Sequence, residues 1–208
     1  MKGYNQAHLH VSFNDKLRAL NEKQTYAYLD QKDTRLFYKL YFSVLDYVNA
    51  LEQIIPNKKI DPNNYIEPDE LVNLIEVFWK AKDRFIDGYV QKNPLNLTYR
   101  NLNIIKDFKY GMRKNFLLAV YEKNYTVLND EGINYMVKGL NENLDKFIPA
   151  EKTPMLIQTA IMPFNGMIIY DGFISTADMQ LSQELVSKAF EDYSYGQKIY
   201  SLLPKNMN

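Results

Sequence analysis

The sequence predicts an α+β protein: an N-terminal helical bundle-like part, then a small antiparallel β-sheet or barrel-like module, then a C-terminal helix. Three observations carry this. Apolar residues recur at helical spacing through the first half, as in Phe37, Tyr41, Val44, Val48, Leu51 and Ile55. From about residue 113 the period drops to two, in short runs between turn formers. The helical period returns after Ser175. The expected division is 12–112 mainly helical, 113–175 β-rich, and 176–204 a helix packing back on the core, all compatible with one compact domain.

Residues 1–11 show no period. Ser12 with Asp15 resembles a short capping box and opens a helix expected to reach Tyr28. Asp33 is the expected cap of a strong helix that Pro56 stops. Leu36, Leu40, Tyr47 and Ile54 widen its apolar stripe, so it reads as a central helix packed on more than one side. Residues 57–64 are a linker of turn formers. Glu67-Pro68-Asp69-Glu70 opens the next helix, since proline suits the first turn and acids favour its positive end. That helix is expected to bury Leu71, Leu74, Ile75, Phe78, Phe85, Ile86 and Tyr89 and to end at Asn93-Pro94. Thr98 caps a fourth, running to about Met112.

Residues 116–130 read as two strands around a turn near Lys123-Asn124. After the turn Asp130-Glu131-Gly132, alternation of Ile133, Tyr135 and Val137 with polar neighbours predicts a third strand with one buried face. Asn141 to Phe147 reads as a short helix capped by Asn141. Residues 154–174 then form a β-hairpin about Asn165-Gly166, the dipeptide that best tolerates two successive positive φ angles. This turn pairs Phe164 with Met167, Met162 with Ile169 and Ile161 with Tyr170. Pro163 should sit where the ladder needs no donor, at an edge or outward-facing position, and the two apolar faces imply cover on both sides. Ser175 to Asp178 start the last helix, which carries Leu181, Leu185, Val186, Phe190 and Tyr193.

The hairpin is also where the chain resembles a known family. Ile161-Met162-Pro163-Phe164, Asn165-Gly166 and Ile168-Ile169-Tyr170-Asp171-Gly172 resemble a poorly characterised family of bacterial proteins. Those proteins carry leucine–leucine–proline–phenylalanine, a short turn, then isoleucine–tyrosine–aspartate–glycine. The upstream strands FLLAVYEKNYTVL and the short helix expected before the hairpin are similar too, so the resemblance covers the middle third of the chain. It implies a shared structural module and no particular activity. Some similar proteins carry a cysteine-rich metal-binding tail; this chain has no cysteine, so no metal is carried over.

Lacking cysteine, the chain has no disulfides, thiolate metal sites or cysteine nucleophile. Lys plus Arg balance Asp plus Glu at 25 each, which argues against a dedicated nucleic-acid or membrane-surface protein. The start MKGYNQAHLHVSFNDK has no apolar signal core, and no stretch is apolar for long enough to span a bilayer. A cytoplasmic protein is expected. Its Lys, Asn, Ile and Tyr richness fits a bacterial chain.

Tyr170 and Asp171 are the first candidate site: an acid at a strand end can bind a metal or act as a base. A lone carboxylate also serves as a turn residue, accepting backbone N–H groups while Gly172 relaxes the backbone. Lys106, Lys109, Arg113 and Lys114 form the second, a basic helix face interleaved with Phe108 and Tyr110 that could hold phosphates and stack bases. His8 and His10 offer a His-x-His pair without a third ligand. There is no Walker loop, G-x-G-x-x-G, G-x-S-x-G or H-E-x-x-H. The expectation is a non-enzymatic protein-binding or regulatory module, with another protein or a second copy as partner and no cofactor. It predicts an exposed apolar or aromatic patch. Nucleic-acid binding through the basic helix is the alternative, and an enzyme using carboxylates from separate helices the third reading.

Overall fold

In a computed structural model, which describes residues 27–176 and 181–204, four helices precede a six-stranded mixed sheet and a last helix. The helix expected over 12–28 and the His8/His10 pair lie outside the described residues, except at the helix's end. There Tyr28 is a bridging residue, paired in parallel with Gly139.

Helix α1 spans Gln31–Glu52. Its cap is Asp30, not Asp33: the Asp30 carboxylate accepts the Asp33 N–H at 2.7 Å, and Asp33 contributes charge within the first turn. Phe37, Tyr41, Val44 and Val48 are fully buried. The stripe ends sooner than the spacing implies, because Gln53 adopts a left-handed φ of 52° and terminates the helix before Pro56. Leu51 is consequently exposed, and Ile55 reaches the core from the loop.

The single helix expected over 67–93 is two, α2 (Pro68–Lys80) and α3 (Lys82–Lys92), broken at Ala81 with φ −139° and ψ 34°. Helix α4 (Tyr99–Asp107) is capped by the Thr98 hydroxyl, which accepts the Asn101 N–H. It tightens into a 3₁₀ turn at Phe108–Tyr110, and the chain is a strand by Met112. The fourth helix is therefore shorter than predicted.

The strands are β1 (Met112–Tyr121), β2 (Thr126–Asp130), β3 (Ile133–Lys138), β4 (Met155–Phe164), β5 (Met167–Thr176) and β6 (Gln197–Ile199). Their order is β2-β1-β4-β5-β3-β6, and a β2–β3 pairing closes the first five into a ring. The sheet is mixed rather than antiparallel: β3 runs parallel to β5 and to β6. The segment between β3 and β4 forms two 3₁₀ turns, Leu144–Lys146 and Ala150–Lys152, in place of the helix expected from Asn141.

Helix α5 (Gln183–Tyr195) is capped by Ser182, whose hydroxyl accepts the Leu185 N–H. It starts later than expected: Ser175 and Thr176 finish β5, and Asp178 lies outside the described residues. On the sheet surface near α5, Ala119, Val127 and Met136 form a small cluster with Tyr193. The Asn134 side chain donates to the Asp192 carbonyl at 2.8 Å. Strand β3 is therefore buried on two faces instead of one.

The hairpin has the predicted register, with Phe164 opposite Met167, Met162 opposite Ile169 and Ile161 opposite Tyr170. Asn165 and Gly166 have φ of 48° and 78°. Pro163 faces Ile168, in the part of β4 that overhangs β1, whose ladder begins at Ile161. Its missing N–H thus points where β1 has already ended, a local edge, but its ring is buried rather than facing outward. One apolar cluster unites helices and strands, with the Phe37 ring 5.7 Å from Phe164 and 6.3 Å from Phe108.

Candidate functional site

The Tyr-Asp-Gly tail of the hairpin is a bulge inside β5. Thr159 pairs with Ile174 and Ile161 with Tyr170, so Asp171, Gly172 and Phe173 stand opposite Ala160 alone. Gly172 has φ of 93°, a conformation that favours glycine. The Asp171 side chain turns inward and is fully buried. It accepts the Phe173 N–H at 3.1 Å, the Tyr41 hydroxyl at 3.3 Å and the Ala160 N–H. The Arg113 guanidinium lies 4.0 Å away, an ion pair rather than a hydrogen bond, and donates through Nε to Glu76 at 2.8 Å.

Burial dominates the electrostatics here. It raises the Asp171 pKa to about 6, against the opposing pull of Arg113, the two backbone N–H groups and Tyr41. Burial, then the Asp171 charge, pushes the Tyr41 hydroxyl well above its ordinary value. Tyr170 is raised by burial as well. The Trp79 indole N–H approaches the Tyr41 hydroxyl without full hydrogen-bond geometry. Asp171 therefore joins α1, α2, β1 and β5 from inside and presents nothing to a solute.

The basic residues do not share a helix face. Lys106 ends α4 with its ammonium 5.9 Å from the exposed Tyr99 ring. Lys109 lies in the 3₁₀ turn and pairs with Asp87 at 2.5 Å. Arg113 and Lys114 are neighbours on β1, where successive side chains take opposite faces. Arg113 goes inward to Glu76, and Lys114 pairs with Asp130. Among the described residues, no group of three or more His, Asp or Glu could hold a metal, and no helix is long and apolar enough to cross a membrane.

A concavity forms elsewhere. A groove of about 600 Å³ runs along α1, floored by Tyr38, Phe42 and Tyr47. These residues come from a second face of the helix, beside the Phe37–Tyr41–Val44–Val48 stripe. The rings brace one another: Tyr38 meets Phe42 edge-on at 6.0 Å, and Tyr47 meets Tyr89 edge-on at 5.7 Å. One wall is the 57–64 segment, through Ile60 and Pro62; the other is Pro94-Leu95, between α3 and α4.

The first wall is tied to α1 rather than being a free linker. Buried Asn49 donates to the carbonyls of Ile55 and Lys58 and accepts the Ile55 N–H at 2.7 Å. Asp46 accepts the Ile60 N–H at 2.7 Å, and the Ile60 side chain is buried. Asp61 accepts both the backbone and side-chain N–H of Asn63, which lowers its pKa. Both acids of the groove thus already serve backbone donors. Its cations differ: Arg35, Lys39 and Lys59 are exposed and form no ion pair among the described residues.

No nucleophile and base converge in the groove; the Ser43 hydroxyl is engaged with the Tyr89 hydroxyl at 2.8 Å. An aromatic floor under a cationic rim is equipped for binding. Tyr38, Phe42, Ile60 and Leu95 were not singled out by motif. For Tyr38 and Phe42 the one sequence signal is the breadth of the apolar face of α1, more than one core needs; Ile60 and Leu95, in loops, carry none. No family model matches the chain, and neither a curated protein nor a solved structure is significantly similar to it.

Proposed function

We propose that the protein is a non-enzymatic protein-binding module and that the α1 groove is where its partner docks. The observation that carries this is the groove: an aromatic-floored concavity of about 600 Å³, one wall of which is held to α1 by side-chain hydrogen bonds. Aromatic rings anchor protein interfaces because they contribute large contact area at low entropy cost. The resemblance through the hairpin adds a structural module to this reading and no chemistry.

A photo-crosslinking residue at Ala50, at one end of the groove, tests it. The expected result in cells is a discrete protein adduct, absent when the residue replaces exposed Lys188 on α5. The purified adduct partner should then bind the natural protein and bind Ala50→Trp, which fills the groove, at least about tenfold more weakly. Equal binding by a folded Ala50→Trp protein sinks the proposal.

The ring gives nucleic-acid binding some support as a second reading. Five-stranded barrels of this kind include oligonucleotide binders, an analogy at the level of fold alone. Against it, α5 lies on the β1–β3 surface, and Lys109, Arg113 and Lys114 are paired with acids. A labelled single-stranded oligonucleotide at low salt decides it, since such binding is strongly salt-dependent.

A further inference from the structure

The groove's charges are asymmetric, and the asymmetry identifies the kind of partner. Of its five charged side chains, Asp46 and Asp61 are occupied by backbone N–H groups of the groove's own wall. Both acids keep their negative charge, but their lone pairs are partly used, and three cations against two acids leave the groove one positive charge in excess. Arg35, Lys39 and Lys59 are exposed and form no ion pair within 4 Å among the described residues, although the charge of Lys59 is felt by Asp61. Arg35 and Lys39 lie one helical turn apart on α1, and Lys59 stands on the facing wall. An apolar trough with cations on its floor helix and on its 57–64 wall complements a segment that presents both apolar anchors and acids. We propose, on the reading that this groove binds protein, that its partner is an acidic amphipathic helix, with Leu or Phe anchors over Tyr38, Phe42 and Tyr47 and Asp or Glu beside Arg35, Lys39 and Lys59.

The chain's own first 26 residues do not suit the role. They carry Lys2, Lys16, Arg18 and Lys23 against Asp15 and Glu22, which is the wrong sign for a cationic rim. Rim charges act mainly by steering encounter and selecting partners, while the apolar anchors hold the complex. The two contributions can therefore be separated experimentally.

The probes are three fluorescent helical peptides with the same Leu and Phe anchors at i, i+4 spacing. Their flanking positions are all Glu, all Gln or all Lys. With the full chain at low salt, the Glu peptide should bind on the order of tenfold more tightly than the Gln peptide, and the Lys peptide should be weakest. The gap should close at about 0.5 M salt, where the screening length falls to a few ångströms. Arg35→Glu/Lys39→Glu/Lys59→Glu, three exposed changes checked for fold by circular dichroism, should reverse the order. Equal binding of all three peptides, abolished by Ala50→Trp, would overturn the charge assignment while leaving the groove as a protein site. Binding by none of them overturns the assignment too, and the Ala50 adduct then decides the groove independently. Helix α5 is itself acidic, with Glu184, Glu191 and Asp192 against Lys188. A concentration-dependent dimer by light scattering, lost in the triple variant, would make the occupant a second copy and overturn the partner assignment.

Discussion

Asp171 illustrates how far one residue's role depends on what surrounds it. The neighbouring Gly172 and the chain's ability to donate backbone N–H groups were legible from Tyr-Asp-Gly alone. The rest was not: Tyr41 is 130 positions away, and Arg113 comes from a segment whose sequence reads as helix. Only the fold brings them together, so a carboxylate that reads as isolated is one member of a buried ionic group. Its titration gives a prediction. The folded-state pKa of about 6 exceeds the unfolded value of about 3.9, so the native state holds the proton more tightly. The sign follows: the stabilisation is full below about pH 4 and is lost as pH rises through about 6, by roughly 2–3 kcal/mol. Asp171→Asn should remove that component. The difference in urea-unfolding free energy between the two proteins should shift in favour of the variant by this amount from low to neutral pH. A flat difference would mean that Asp171 titrates alike folded and unfolded.

At the scale of elements, what the sequence made plain was whatever local chemistry decides. The hairpin register followed from Asn165-Gly166, because a two-residue turn with positive φ at each position permits one pairing. Gly166→Ala meets nothing within 4 Å, so its cost is backbone strain alone. The expected loss is about 1 kcal/mol, read as a lower urea midpoint with an unchanged slope. Elements shaped by distant contacts were less legible. The second buried face of β3 exists because α5 returns to cover it, and polar Asn134 gives no hint of burial. The break at Ala81 leaves no mark in the apolar spacing, since Phe78 and Phe85 occupy one stripe whether or not the helix is continuous. The groove was hidden for the same reason: its wall is a turn-rich stretch that reads as a linker until Asn49 and Asp46 are seen to hold it.

For the whole molecule, the α+β class and the order of its parts were readable from the change of period near residue 113. The mixed sheet was not, because the parallel pairing of β3 with β5 joins segments that share no local signal. Helices and strands share one apolar cluster, and Tyr41 and Asp171 link α1 to β5 within it. The expected outcome is a single cooperative thermal transition, with far-ultraviolet and near-ultraviolet circular dichroism superimposing. Two resolved transitions would mean that the helical and β parts hold their own stability. Ring closure also bears on how this protein can meet others. Each of β1 to β5 is flanked on both sides, and β5 and β6 share one side of β3 at opposite ends. The closure is partial along the strands: β5 meets β3 only at Ile168 and Ile169, and β1 meets β2 only from Leu117, so strand addition is confined to those one-sided stretches and to β6. The groove along α1 offers the opposite kind of surface, where side chains rather than backbone groups face outward.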